Sequence, residues 1–246
     1  MNSVLIVGSA PDAVRIQSVD CSMFSHVVAI NNAWRLRTDW DYIIYPEDFP
    51  KAKQPTSISA EKIITAEDYV PEQNSFGGFI YAGGTMAFTA GYWALGALQP
   101  DVIAYLGCDM IYPEQTEEQS HFYGNGMADP LRPDITLQSL EAKSARLLAF
   151  AKSQNCRVVN ISEQDQSRLL FPKMPLTEFA TPNNVSNYLQ ENEVALNTKA
   201  MQQALAKEEE LSYMAPSGRY WEMLAELDPE QLRSVDDLWL QTVSYS

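Results

Sequence analysis

His121 is one of two histidines in this chain, and an imidazole is the side chain best suited to accept a proton near neutral pH. It lies in the run GCDMIYPEQTEEQSHFYGNGMADPLR, downstream of Asp109 and among Tyr112, Tyr123, Asn125 and Arg132. That mixture suits general acid–base chemistry, with His121, or failing it Asp109, as the group that exchanges the proton. Long stretches without regular patterning are usually functional loops, so this one is expected to close over a site. A loop histidine that only makes hydrogen bonds would have the same neighbours, and the sequence leaves both roles open.

Three other stretches could meet a phosphate or a base. The first is VLIVGSAPD, an apolar run that enters a turn at Gly8, followed by Ser9, Ala10 and Pro11. A dinucleotide loop needs three glycines in G-x-G-x-x-G, and only one is here, so a dinucleotide is disfavoured while a strand, turn and helix are not. The second is Asn31-Asn32, whose amides can read a base edge or a ribose, or can simply make a turn. The third is YAGGTMAFTAGYWALG, where Gly83-Gly84 precede Thr85, a candidate N-cap, and an apolar helix. Such a junction offers backbone N–H groups and the positive end of a helix dipole to a phosphate; it also serves as a tight turn into a core helix. It lacks the lysine of a P-loop.

These residues need elements to position them. Unalternating apolar runs at 4–7, 27–30, 42–45, 62–65, 102–106 and 158–161 read as strands buried on both faces of a parallel sheet. A helical period over 136–154, with Thr136 as cap, joins the last two. The pattern predicts an α/β, Rossmann-like, doubly wound and mainly parallel sheet over residues 1–172. Ligands in such sheets bind beyond the carboxyl ends of the strands, where Gly8, Asn31, Glu47, Asp48, Gly107 and Asp109 fall. After Phe171-Pro172 the composition shifts, and residues 173–246 read as an acidic helical extension, with helices near 193–212 and 229–242. The extension carries Tyr213, Tyr220, Trp221 and Trp239, too apolar for a disordered tail, so it is expected to pack on the sheet or on a second copy of the chain.

Composition excludes several classes of partner. Thirty-two acidic against 17 basic residues give a net charge of -15, which disfavours nucleic acid. No run is long and apolar enough for a membrane span and no basic leader precedes an apolar one, so a cytoplasmic protein is expected. Cys21, Cys108 and Cys156 are scattered and read as reduced core thiols. Asp39-x-Asp41 precedes a strand where a metal-holding pair should follow one, and reads as a surface turn, so no metal site is expected.

Taken in order, VLIVGSAP, VVAINNAW, YAGGTMAFTAGYWALG, VIAYLGCD and SHFYG resemble motifs of the bacterial lipooligosaccharide sialyltransferases. The same skeleton is similar to the 6-hydroxymethylpterin diphosphokinase family. The likeness spans residues 2 to about 162 and does not extend into the tail. It implies a mononucleotide, of the kind carried by a CMP-sugar, held by Gly8, Ser9, Asn31 and Gly83-Gly84, with Tyr112 or Tyr123 on the departing phosphate. Two positions depart from the family. Asn125 stands where the second histidine of H-x-x-x-H is the base, and Phe79 or Ile80 stands where an arginine precedes the glycine turn. His121 matches the first histidine of that motif, so its role as base rests on its chemistry and not on the likeness.

The function expected from these residues is glycosyl transfer from a nucleotide-activated sugar to a glycan or small acceptor, with no obligatory metal. The nucleotide would lie among Gly8, Ser9, Ala10, Pro11, Asn31, Asn32, Gly83, Gly84 and Thr85. The alternative from the second likeness is diphosphoryl transfer from ATP, with magnesium held by Asp109, Glu47 and Asp48. A third possibility is a nucleotide-binding relative without catalysis.

Overall fold

The computed structural model describes residues 1–112, 120–124 and 134–243. Six strands form one parallel sheet: β1 Ser3–Val7, β2 His26–Ile30, β3 Tyr42–Ile44, β4 Ile63–Ile64, β5 Val102–Leu106 and β6 Arg157–Asn160, in the order β4-β3-β2-β1-β5-β6. The expected Rossmann-like α/β fold is what the chain adopts. β1 is central, Leu5 lying between Val27 of β2 and Ala104 of β5. Successive strands step away from β1 on one side and restart on the other at β5, so the gap between the ends of β1 and β5 is the switch point where such folds bind ligands.

The period-2 alternation of a strand sorts its residues onto two cores. Val4, Ile6, Val28 and Ile103 face one cluster, and Leu5, Val7, Val27 and Ala104 face the other. The first is covered by α1 Ala66–Ser75, α3 Met86–Trp93 and α4 Leu140–Ser153. The second is covered by a 3-10 helix over Pro11–Ser18, a tight turn at Cys21–Met23 and a later helix, Pro182–Glu191. Every residue of α3 is buried, and an eight-residue apolar helix has no other place than the interior. It passes into a single π-type turn over Ala94–Leu98. A short helix, α2 Phe79–Ala82, precedes the glycine pair.

Thr136 does not cap α4. It lies in a 3-10 turn over Ile135–Leu137, its backbone N–H donating to Asp134 Oδ1, and the helix starts three residues beyond that turn, where Ser139 Oγ accepts from Ala142 N–H. Two hydroxyl residues compete for the cap, and Ser139 is the one adjoining the buried stripe.

The tail holds α5 Pro182–Glu191, α6 Thr198–Leu211 and α7 Pro229–Leu240. α7 packs on the outer side of α4, and Leu232, Val235 and Trp239 form a third core with Ala142, Ala149 and Ala204. This explains why α4, rich in charged residues, is buried nearly all round. Arg146, with no exposed surface, donates from Nε and Nη2 to the two carboxylate oxygens of Glu208 on α6, both at 2.8 Å, and from Nη1 to Tyr92 Oη. Burial alone would lower the guanidinium pKa, but Glu208 and Tyr92 more than offset this and hold it above its ordinary value. Lys143 donates to Asp236 of α7 at 2.5 Å. Among the described residues, no helix is long and apolar enough to cross a membrane.

Candidate functional site

A cleft of about 260 Å³ opens at the switch point, beyond the ends of β1, β2, β3 and β5. At its base the chain leaving β1 crosses the chain leaving β5: Gly8 N–H donates to Leu106 O and Ala10 N–H to Gly107 O. Gly8 has to be glycine because a Cβ there would run into the Gly107 carbonyl and Cys108 Sγ. Gly107, at φ +66, lies equally close to Ala13. Ser9 and Ala10 line the cleft, whereas Pro11 begins the 3-10 helix behind it. The buried thiol of Cys108 also lines the cleft, and desolvation keeps it protonated, so it is no nucleophile.

Asn31 and Asn32 follow β2 on one wall. Asn31 takes a left-handed φ of 49°, which asparagine tolerates better than most residues. Asn32 is 4% exposed, and Oδ1 of both side chains has no partner among the described residues. The opposite wall is the start of α3. Thr85 occupies the N-cap position without a side-chain cap bond, and the amides of Met86 and Ala87 have no acceptor among the described residues. Thr85, Met86 and Ala87 all line the cleft, so the positive end of a buried helix faces it.

His121 closes the third side. Ser120–Gly124 is tied to the end of β1 by Phe122 N–H donating to Ser9 O at 3.0 Å, and to itself by the His121 and Gly124 backbone pair. The imidazole, 5% exposed, is stacked on Tyr123 at 4.9 Å between ring centres, with Tyr112 at 6.1 Å. Its Nδ1 is 2.8 Å from Ser120 Oγ, which leaves Nε2 as the atom without a described protein partner. Burial pushes the His121 pKa below its ordinary value, so the ring is neutral at pH 7. Burial also raises that of Tyr123, whose hydroxyl is hydrogen-bonded to the Asn32 side chain.

Gly8, Ser9, Ala10, Asn31, Asn32, Thr85, Tyr112, His121 and Tyr123 thus share one cleft. The glycine pair does not. Gly83 N–H donates to Phe79 O and Gly84 N–H to Thr136 Oγ1, so neither amide is left for a phosphate. Gly83, at φ +84, packs on Leu137 and Lys143, while a Cβ on Gly84 would collide with the Tyr220 ring. The pair is small because tail and body close on it. Asp109 is 2% exposed but turned out of the cleft: Oδ1 accepts from Asn160 Nδ2 at 2.8 Å and lies 3.8 Å from Lys173 Nζ. It ties the end of β5 to β6, and its neighbours Cys108 and Met110 line the cleft instead. Asn125 and Arg132 lie outside the described residues, as does most of the loop expected to close over the site.

The magnesium set does not assemble. Asp109 is bonded to Asn160, Glu47 pairs with Arg219 at 3.4 Å, and among the described residues no three His, Cys, Asp or Glu side chains converge to hold a metal. Asp39 and Asp41 are structural, as expected of a turn. Arg37 forks onto the two oxygens of Asp39, and Asp41 Oδ2 accepts from Val27 N–H.

Phe49 and Lys53 are site residues that lie beyond the strand-end positions singled out in the sequence. Both line the cleft from the chain after β3, which two prolines, Pro46 and Pro50, and a 3-10 turn over Lys51–Lys53 fold back over the site. The first charged residues after β3 are Glu47 and Asp48, and the chain reaches Phe49 and Lys53 only beyond them. The prolines were the available signal, since each stiffens a turn that keeps the next residues near the sheet edge. Comparison with known proteins finds no matching family model, no similar curated protein and no similar solved structure.

Proposed function

We propose that the cleft binds a nucleotide-activated sugar of the CMP type and that the protein is a glycosyltransferase-like enzyme, with His121 as general base. The observation that carries this reading is the convergence, at the switch point, of an unpaired helix N-terminus, two asparagine acceptors and a buried neutral imidazole. The α3 amides and Lys53 suit a phosphate; Asn31 Oδ1 and Asn32 Oδ1 suit the N–H groups of a base. The small number of cations fits a donor with little phosphate charge. The order of motifs resembling the sialyltransferases favours CMP over other carriers.

In this scheme Nδ1–H of His121 donates to Ser120 Oγ and bare Nε2 takes the proton of an acceptor hydroxyl. The acceptor oxygen bonds to the anomeric carbon as the bond from that carbon to the phosphate oxygen breaks. The leaving nucleotide keeps the electron pair, stabilised by the α3 amides, Lys53 and the hydroxyls of Tyr112 or Tyr123. No side chain set for a metal enters these steps.

The test is transfer or hydrolysis of CMP-, UDP- and GDP-sugars by the purified protein. Turnover of a CMP-sugar in preference to the others is expected; neither turnover nor binding of any of them would contradict the reading.

A further inference from the structure

A second cleft, of about 590 Å³, lies between the body and the tail and shares Pro46, Asp48 and Met86 with the first. Its inner wall is Tyr69 and Phe79, and its outer wall is Tyr220, Trp221 and Leu224 from the 3-10 segment Tyr220–Glu226. Gly218, at φ +79, lets this segment run close against Val70 and Phe79, and Tyr220 is fixed by stacking near Phe79 and by donating to Asp134 at 2.6 Å. Trp221 and Leu224 are 53% and 43% exposed, an unusual investment of apolar surface beside a cavity. The rim is acidic. Glu47, Asp48 and Asp134 line it, and among the described residues its one cation, Arg219, pairs with Glu47.

We propose that this cleft is the acceptor site and takes a neutral carbohydrate, the apolar face of a sugar ring or its aglycone lying on Trp221 and Leu224 and its hydroxyls donating to Glu47 and Asp48. Flat aromatic surface next to carboxylates matches the alternating apolar faces and hydroxyl edges of a sugar. The acidic rim disfavours an anionic acceptor. The wall shared with the first cleft brings an acceptor hydroxyl to the donor. The role assigned to this cleft as acceptor site rests on the transferase reading above; the prediction that it binds a neutral glycoside does not.

Calorimetric titration of the full chain with phenyl β-galactoside, with phenyl β-glucuronide and separately with CMP distinguishes the two. Saturable galactoside binding is expected, with the glucuronide weaker. Trp221→Ala and Leu224→Glu, both at exposed positions, should each weaken it by about tenfold or more and leave CMP binding and circular dichroism unchanged. CMP binding without galactoside binding would overturn the acceptor proposal and leave the donor site standing. Galactoside binding without any nucleotide binding would keep the sugar cleft and remove its role as acceptor site. Dimerisation abolished by Leu224→Glu, with no galactoside bound, would give the cleft to a second copy of the chain and overturn the proposal.

Discussion

At the scale of the residue, the proposed chemistry rests on His121. His121→Ala should lower kcat by about 10² to 10⁴ with little change in donor affinity, and His121→Asn should do no better, because an amide cannot take the proton. Burial lowers the pKa of this imidazole, so the acid limb of kcat/KM should lie below pH 6.5, the ordinary value. The unfolded chain binds a proton at His121 more readily than the folded one, so the contribution of this residue is fully present above pH 6.5 and is lost as pH falls through the depressed value. An acid limb above pH 6.5, or full turnover in both variants, would remove His121 as base. Asn31 separates a turn from a ligand contact. Its φ of 49° suits glycine, so Asn31→Gly should leave the unfolding free energy within a few tenths of a kcal/mol while weakening CMP binding by about tenfold, the worth of one hydrogen bond. Unchanged affinity would make it a turn residue only. The contrast with Asp109 shows what sequence can and cannot reach at this scale. Its position at a strand end was legible, but its side-chain direction is set by Asn160, far along the chain.

At the scale of the element, the strands were legible because a strand buried on both faces has no polar alternation to confuse, and all six runs match within a residue at each end. The edge strand β4 is shorter than its run, holding only Ile63 and Ile64. The glycine pair was legible as a turn into a core helix but not in its purpose, since the group that forbids a side chain there is Tyr220 from the tail. Gly84→Ala should therefore cost about 1 to 3 kcal/mol by overpacking, and Tyr220→Ala in the same chain should recover most of that cost. Simple additivity in urea unfolding of the two single variants and the double would contradict this account. Arg146 and Lys143 were invisible as structure because charged residues on a helix usually face water. Here they face acidic partners on α6 and α7. Arg146→Ala leaves Glu208 buried and unpaired and should lower the unfolding free energy by about 3 to 5 kcal/mol; a loss below about 1 kcal/mol would mean water reaches the pair.

At the scale of the whole molecule, the boundary near residue 172 marks a change of composition rather than a break in packing. The tail shares a core with α4 through Trp239, Val235 and Leu232, and completes the second cleft through Tyr220 and Trp221. One molecule thus carries two adjoining clefts with different character, the first with a helix N-terminus and a buried imidazole, the second aromatic and acid-rimmed among the described residues. A net charge of -15 surrounds both, so an anionic ligand of the first cleft would depend on the local field of α3 and Lys53. The first cleft is proposed to hold a nucleotide, and a ligand that binds only the folded chain must raise its stability. The most direct measurement is the thermal midpoint of the intact protein against CMP and a panel of other nucleoside mono-, di- and triphosphates. With CMP at about a hundred times its Kd the gain is about 2.7 kcal/mol, which for a chain of this length raises the midpoint by roughly 5 to 10 °C. CMP should produce that shift; no shift with any nucleotide in the panel would mean that the first cleft is not a nucleotide site.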